Sequence, residues 1–363
     1  MTTYIVVWLI CFGLSFSGIF GKAKSSVGIV LILLFGLSCI VAFRVDVGQD
    51  WESYKLFYYS GYAYDKPDGK MEPLFTLVRH ICYCLGLSHA VFFLILSFFS
   101  LYALNRAAIL MNIGNHYVLY FVYLSLFFCS LQFNIFRTAI MASCVWLAFA
   151  YKSRGEQTKA LVWCLIGSGF HLIAILILPL LFFIDKSLKA KWYYGMLAGA
   201  FLLFVINFSG RIISLFPWIA LIDRVESYVD VDEDKAYGLS IGMVFSLCFC
   251  MALRFCYRDT YYKDTVFRIL MNVLLLNNIL IFSLNGLGTV VARIGQTLNM
   301  TVIFLWPYVF SKIRKQHIQL GLGAIFVVYL ALFFHRTWGD DSSDTSKMLP
   351  YRFDVSQLFD THI

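Results

Sequence analysis

Charged residues are scarce in this chain. Of its 363 residues only 14% are Asp, Glu, Lys or Arg, whereas 60% are hydrophobic and the mean hydropathy is +0.76. Soluble domains contain about 25% charged and about 45–50% apolar residues. The shortage of charge therefore excludes an ordinary soluble or disordered protein. The 36 Phe and 22 Tyr residues indicate a chain whose apolar surface faces lipid.

The chain also lacks a concentrated basic patch and a cysteine framework. Its net charge of +8 comes from basic residues spread between apolar runs, so nucleic acid is not expected as a partner. Most of the ten cysteines lie inside those runs, where a thiol behaves as a small hydrophobic group. Cys82 and Cys84 are separated by one residue, a gap too short for an unstrained disulfide. We expect free, structural cysteines.

Long apolar runs predict an all-α, polytopic helical membrane protein with about 12 transmembrane helices. A helix needs about 20 apolar residues to cross the hydrocarbon core. The segment 160–184 is expected to form two short helices that meet at Gly167-Ser168-Gly169. The other ten predicted spans are residues 4–20, 27–43, 89–105, 117–133, 135–151, 193–209, 239–256, 266–285, 294–310 and 318–334.

The distribution of Lys and Arg predicts how these spans are oriented. Cytoplasmic loops carry an excess of basic residues, and the basic connectors, such as 152–159 and 186–191, share one side when both termini are outside. Residues 73–87 then form a short interfacial or re-entrant helix on the outer face. No basic stretch precedes the first apolar run, so that run is expected to be retained and not cleaved as a signal peptide.

We expect a single integral membrane domain over residues 1–363, because no internal repeat or low-complexity tract interrupts the chain. Its predicted outer parts are a first loop (44–88), a second loop (210–238) with an amphipathic helix lying on the membrane surface, and a C-terminal tail (335–363). The acidic run at 230–234 is interpreted as part of a solvated loop.

Several cations on the outer side are not explained by topology. Arg44, Arg137 and Arg293 lie at the ends of predicted spans, His171 follows the glycine break, and Arg224 lies in the second outer loop. Ionisable groups at membrane depth are costly and usually pair with each other or with a ligand. These residues predict an anion site open to the outside. The alternatives are an interfacial role for Arg44 and a structural role for His171.

The first outer loop adds carboxylates and aromatic rings. Asp50, Trp51 and Tyr54 suit a sugar, because ring faces stack on sugar rings and carboxylates accept hydrogen bonds from hydroxyls. Glu72 precedes Pro73, a residue favoured in the first turn of a helix. Glu72 is therefore expected at or near an N-cap, where it serves either as a simple cap or as a ligand contact.

In their order along the chain these residues resemble the landmarks of the EpsG-like, Wzy-type bacterial polysaccharide polymerases. The early landmarks are Arg44-x3-Gly48-x-Asp50-x3-Tyr54, Glu72-Pro-Leu-Phe, Asn134-Ile-Phe-Arg137 and Gly169-Phe-His171. The later ones are Arg224-x3-Tyr228, Arg293 and Pro350-Tyr351-Arg352. The resemblance spans roughly 44–352. Two departures are that Thr138 follows Arg137 where many relatives carry Gln, and that Arg293 lacks a nearby tyrosine.

The resemblance implies a GT-C-like glycosyltransferase of the bacterial inner membrane, an O-antigen or exopolysaccharide polymerase. At the periplasmic face it would transfer the growing glycan from undecaprenyl pyrophosphate to the terminal sugar of another lipid-linked repeat unit. The implied partners are these two lipid-linked oligosaccharides, membrane lipid and a chain-length regulator. Because arginine binds phosphate bidentately and stays protonated, no metal and no cofactor is expected.

Each polar residue then receives a predicted role. Preorganised cations are well suited to a leaving diphosphate, and the predicted pyrophosphate ligands are Arg44, Arg137, Arg293 and Arg224. The predicted general base is Asp50 or His171, with Glu72 orienting the sugar. The predicted sugar contacts are Trp51, Tyr54, Tyr228 and Tyr351.

Other functions fit parts of the pattern. A related ligase or single-sugar glycosyltransferase would use the same chemistry. A flippase or transporter of lipid-linked oligosaccharide would place cations along a cavity open to both sides, usually between two related halves. The unexplained ionisable residues concentrate outside and no repeated halves are found, which favours catalysis at one face. A scaffold without a site would tolerate the loss of Arg137 or Arg293.

Overall fold

The computed structural model describes residues 2–20, 25–62, 71–208, 239–284, 288–313, 315–339, 348 and 351–359. These residues are organised in helices, with an isolated antiparallel β-bridge between Arg44 and Phe353. The predicted all-α class is confirmed. The amphipathic helix predicted within 210–238 and the acidic run at 230–234 lie outside the described residues, as does most of the tail from 340 to 350.

The helices follow the apolar runs of the sequence. In chain order they are α1 (Thr2–Ile19), α2 (Val27–Ala42), α3 (Trp51–Ser60), α4 (Pro73–Cys84), α5 (His89–Leu110), α6 (His116–Tyr123), a π-helix (Leu124–Asn134), α7 (Phe136–Ser153), α8 (Gln157–Phe170), α9 (Ala174–Ile177), a 3-10 helix (Leu178–Phe182), α10 (Ala190–Val205), α11 (Ile241–Cys256), α12 (Arg258–Lys263), α13 (Thr265–Ser283), α14 (Gly288–Asn299), α15 (Thr301–Lys312), α16 (Gln316–Gly339) and a second 3-10 helix (Val355–Phe359).

Contacts divide the chain into two compact units. The first consists of Met1–Leu176 and Ile303–Ile363, and the second is Ile177–Val302. In the first unit α7 is the central helix, because every side chain from Phe136 to Ala150 is buried. In the second unit α13 is the central helix, and it packs against α10, α11 and α14.

The helices have the length and the surface of membrane spans. Among the described residues, four helices are long and apolar enough to cross a bilayer: His89–Leu110, His116–Asn134, Thr265–Ser283 and His317–His335. Shorter apolar helices include α1, α2, α10 and α11. Large apolar side chains point outward, such as Ile32 (73% exposed) and Phe255 (79%), which is favourable only when lipid replaces water around them. The chain is a helical membrane protein; the count of twelve crossings stays a prediction.

Two predicted spans differ in detail from the helices observed. In segment 160–184 the glycines 167 and 169 lie inside α8, and the break comes at His171, whose backbone is extended (φ −157°, ψ 120°). The predicted span 294–310 is divided at Met300 into α14 and α15. The two glycines remain helical. Their lack of a side chain lets α8 pack closely against its neighbours: a Cβ at residue 167 would lie 3.2 Å from Cys144 Cβ.

A π-helix of 11 residues precedes the central helix of the first unit. π-Helices are rare, usually one turn long, and frequent at functional sites. This one ends at Ile135, whose dihedrals (φ −115°, ψ 57°) are not helical, so α7 begins afresh at Phe136. As a result, Arg137 lies on the first turn of a buried helix.

Candidate functional site

An ion pair between Arg137 and Glu72 forms the centre of the site. Arg137 Nη1 lies 2.5 Å from Glu72 Oε2, and both residues are 7% exposed. Glu72 occupies the N-cap position of α4, as the Glu72-Pro73 pattern predicts, but its side chain makes no capping hydrogen bond. The carboxylate instead faces α7, so the interpretation as a simple cap is wrong.

Tyr54 and Asp50 extend this pair toward the first outer loop. Arg137 Nε donates to Tyr54 Oη at 3.4 Å, and its guanidinium lies 5.9 Å from the centre of the Tyr54 ring. The Tyr54 hydroxyl donates to Asp50 Oδ2 at 3.5 Å. Asp50 is the residue before α3 and Tyr54 lies one turn into that helix, so a helix that the sequence analysis missed places both side chains.

His171 approaches the same carboxylate from α8. Its Nδ1 lies 4.0 Å from Glu72 Oε1 and accepts a hydrogen bond from the Ile173 backbone N–H at 3.4 Å. A neutral imidazole with an accepting Nδ1 carries its proton on Nε2. The break at the end of α8 therefore brings a titratable ring to the Arg137–Glu72 pair.

Two glycines of the motifs permit the close contacts that assemble these residues. A Cβ at Gly169 would lie 2.5 Å from Leu74 Cγ, so glycine allows α8 to approach α4. Gly48 has φ +94°, and a Cβ there would lie 2.4 Å from the Phe133 carbonyl oxygen. The side chain of Asn134 accepts a hydrogen bond from Gln49 N at 3.1 Å, which fastens the first outer loop to the end of the π-helix.

Arg44 is completely buried beside the first outer loop. Its Nε donates to Val47 O at 2.9 Å and its Nη1 to Val41 O at 2.7 Å, while the rings of Phe93 and Phe133 lie 5.3 and 5.1 Å from the guanidinium carbon. Burial lowers the pKa of Arg44 to about 10, so it remains charged at neutral pH. These contacts make Arg44 a residue that positions the loop, and its predicted contact with pyrophosphate stays a prediction.

The aromatic residues predicted to contact sugars differ in their surroundings. Tyr54 belongs to the site. Trp51 is 8% exposed, with its ring edge-on to His89 at 6.3 Å between centroids. Tyr351 is half-buried, and its hydroxyl donates to Ile40 O of α2 at 2.8 Å. Sugar contacts by Trp51 and Tyr351 stay predictions.

The remaining predicted ligands lie in the second unit or outside the described residues, and their roles stay predictions. Arg293 lies half-buried on α14, which belongs to the second unit. Arg224 and Tyr228 lie outside the described residues. Within the described ranges, no three His, Cys, Asp or Glu side chains are grouped as metal ligands would be, and the ten cysteines are free.

The C-terminal segment 351–359 contributes contacts that the sequence analysis missed. The backbone of Val45 donates to Arg352 O at 3.0 Å, and the His89 ring lies 2.8 Å from Gln357 Oε1. The partners are about 300 positions apart in the sequence, and no local pattern signals such a pairing. The segment packs against the loop that leads from α2 to Asp50 and holds it in place.

One known family matches most of the chain, including the site residues described above. The EpsG family model matches residues 27–353. The chain belongs to the EpsG family. Arg44, Glu72, Arg137 and His171 lie inside the matched range, as do Arg293 and Tyr351. The comparison with curated proteins and the comparison with solved structures each found no match.

Membership of the EpsG family makes this chain a membrane protein of the polysaccharide-polymerase type. Its site residues come from four separate stretches, namely the start of α3, the start of α4, the start of α7 and the end of α8. Such an arrangement, with a cation, two carboxylates, a phenol and an imidazole, is able to bind an anion and to accept a proton.

Proposed function

We propose that this EpsG-family protein polymerises O-antigen or exopolysaccharide repeat units. It transfers the growing glycan from undecaprenyl pyrophosphate to the terminal sugar of another lipid-linked repeat unit. The observation that carries the proposal is the buried Arg137–Glu72 pair, with Tyr54, Asp50 and His171 around it. These groups supply the anion binding and the proton acceptance that glycosyl transfer from a diphosphate requires.

Arg137 is suited to the diphosphate of the donor. Its Nη1 and Nε are engaged by Glu72 and Tyr54, but among the described residues no hydrogen bond uses Nη2. This edge of the guanidinium can bind a phosphate oxygen while Glu72 holds the group in place. A preorganised cation in a site that excludes water stabilises the charge that develops on the leaving oxygen. Arg293 and Arg224 are proposed as further pyrophosphate ligands.

The transfer step breaks one bond and forms one. The acceptor hydroxyl oxygen attacks the anomeric carbon of the donor sugar, the bond from that carbon to the diphosphate oxygen breaks, and undecaprenyl pyrophosphate leaves with the electron pair. The hydroxyl proton passes to Asp50 or His171. Glu72 is held by Arg137, so its proposed role is to orient the sugar and the guanidinium.

The proposed setting is the bacterial inner membrane, with the site facing the periplasm. This orientation follows from the basic connectors, which belong on the cytoplasmic side. The proposed partners are the lipid-linked donor and acceptor and a chain-length regulator. Arginines can bind the diphosphate without a divalent cation, and the proposed reaction is metal-independent.

The proposal is tested by removing the protein from its host and displaying the surface glycan on a gel. We expect a ladder of chain lengths to collapse to single capped repeat units. Absence of all glycan would instead indicate a flippase or an earlier step, and long polymer without its final acceptor would indicate a ligase. An unchanged ladder would refute any role in this pathway.

Metal independence is tested with purified protein reconstituted in vesicles. Transfer between lipid-linked repeat units is expected to continue after treatment with EDTA at a rate within about twofold of the untreated protein, since an arginine needs no metal to bind phosphate. Loss of transfer with EDTA and recovery on adding Mg²⁺ or Mn²⁺ would contradict this part of the proposal.

A further inference from the structure

The second unit contains a group of amide side chains between α13 and α14. Asn277 on α13 is completely buried, and its Nδ2 donates to Asn299 Oδ1 on α14 at 3.4 Å. Asn277 lies within the apolar span Thr265–Ser283. Polar side chains at such depth are costly and usually functional.

The amide group retains hydrogen-bonding capacity that the described residues do not use. Asn277 Oδ1 and Gln296 Oε1 are buried and have no hydrogen-bond partner among the described residues. Buried polar atoms in native proteins nearly always have one. Exchanging the oxygen and nitrogen of the Asn277 amide would instead leave a buried N–H without a partner among the described residues. In either assignment Asn277 offers a hydrogen bond that none of the residues described fills.

A glycine leaves room beside this atom. A Cβ at Gly295 would lie 3.7 Å from Asn277 Oδ1 and 3.8 Å from both Ile281 Cγ1 and Leu280 Cδ2. These are ordinary van der Waals distances, so a methyl group fits there without displacing a neighbour. A methyl group and a hydroxyl group are nearly the same size. The space is therefore suited to one hydroxyl next to a buried amide oxygen.

We propose that Asn277 and Gln296 form a subsite that binds a sugar hydroxyl of the lipid-linked glycan. The inference rests on the proposed function and extends it to the second unit. The unfilled oxygens call for a neutral donor, and a hydroxyl supplies one. Arg293 lies on α14 one turn before Gln296. A cation is therefore next to the amides on the same helix, as a ligand carrying both hydroxyls and phosphate requires.

Helix association alone does not account for the amides. Asparagines that bond across membrane helices do hold them together, and the bond between Asn277 and Asn299 is of this kind. That role uses the Asn277 amide nitrogen but leaves Asn277 Oδ1 and Gln296 Oε1 without partners. A bound water would also donate hydrogen bonds to these two oxygens. The experiment therefore has to distinguish a water from a sugar hydroxyl.

The decisive variant is Gly295→Ala, because it fills the space without a clash. The protein is reconstituted in vesicles with the lipid-linked repeat unit isolated from its own host. We expect KM to rise about tenfold, the effect of one hydrogen bond, with kcat within about twofold and an unchanged or higher melting temperature. The control is Gly199→Ala on α10, where a Cβ meets nothing within 4 Å; KM should not change.

Each other outcome is also informative. A KM equal to that of the wild type overturns the proposal, and if the melting temperature shifts at the same time, a water or helix packing is what the cluster serves. Asn277→Leu provides a second variant of similar size, which should also raise KM. Because it breaks the bond to Asn299, its melting temperature is expected to fall, and Gly295→Ala is the variant that separates binding from packing. Arg137→Lys separates the two hypotheses: if it transfers normally the proposed function fails, whereas an inactive Arg137→Lys with a normal Gly295→Ala refutes only the subsite.

Discussion

At the scale of single residues, the Arg137–Glu72 pair is the most informative feature. Taking two charges out of water costs several kcal/mol for each, and a buried ion pair recovers this only with good geometry and further hydrogen bonds. Apolar residues of the same volume are often at least as stabilising. The pair is therefore poorly explained by stability alone, whereas a guanidinium held in one orientation by Glu72 and Tyr54 is what anion binding needs.

Replacing Arg137 with Lys keeps the charge and removes the planar fork. We expect glycan chain growth to fall by about 100-fold, comparable to the loss of one preorganised donor in other active sites, with normal amounts of protein in the membrane. The measurement is polymer formed per unit of protein in vesicles. Arg106→Lys, at an exposed arginine on α5, is the matched control. Full activity of Arg137→Lys would argue against a guanidinium that binds Glu72, Tyr54 and the phosphate at the same time.

The pair also predicts a pattern of stabilities. Arg137→Met leaves the Glu72 carboxylate buried without its cation and should lower the free energy of unfolding by about 3–5 kcal/mol. Adding Glu72→Leu removes the second charge and should restore most of that loss. Thermal unfolding in detergent measures both. The double variant should remain inactive; if it is no more stable than Arg137→Met, the two side chains do not act as a pair.

At the scale of helices, the site depends on how closely four elements approach one another. Asp50 and Tyr54 reach Arg137 because Gly48 and Asn134 fasten the loop before α3 to the π-helix. The family motifs therefore combine two kinds of residue. Some carry the chemistry, and others, such as Gly48, permit the backbone contact that brings the chemistry together.

The contact between α8 and α4 can be tested at Gly169. Gly169→Ala places a methyl group 2.5 Å from Leu74 Cγ, and such overpacking should cost about 1–3 kcal/mol and move His171 away from Glu72. Shortening the opposing side chain in Gly169→Ala with Leu74→Ala should recover both stability and chain growth. Gly36→Ala on α2, where a Cβ meets nothing within 4 Å, is the control. Wild-type behaviour of Gly169→Ala alone would contradict the contact.

At the scale of the whole molecule, orientation in the membrane follows from charge. Basic connectors remain on the cytoplasmic side because Lys and Arg resist translocation. Outward-facing apolar side chains on helices such as α2, α11 and α16 show which surfaces lipid must cover. The proposed orientation has the first outer loop, with Asp50, in the periplasm.

Cysteine labelling tests this orientation. In a background without the native cysteines, Gln49→Cys and Glu52→Cys should react with a membrane-impermeant maleimide applied to the periplasmic side, because both positions are exposed in the first outer loop. Thr158→Cys and Ser187→Cys, exposed in basic connectors, should react only after the membrane is permeabilised. The reverse pattern would invert the topology and move the site to the cytoplasm.

The sequence by itself determined the helical membrane class of the protein, the positions of most of its long helices and the candidate residues, among them Glu72, Arg137 and His171. Apolar runs specify helices because, in lipid, each backbone polar group must be satisfied within its own segment. Glu72, Arg137 and His171 stand out because charge at membrane depth needs a reason. These are local properties of composition and pattern.

Only the tertiary structure decided which of those residues meet. It joined Glu72 to Arg137 across 65 positions, buried Arg44 among backbone carbonyls and rings, and moved the break of α8 from its glycines to His171. The amides between α13 and α14 were likewise invisible in the sequence. The physical reason is that such contacts depend on how helices pack through small residues at close approach, and neither hydropathy nor spacing along the chain records which helices become neighbours.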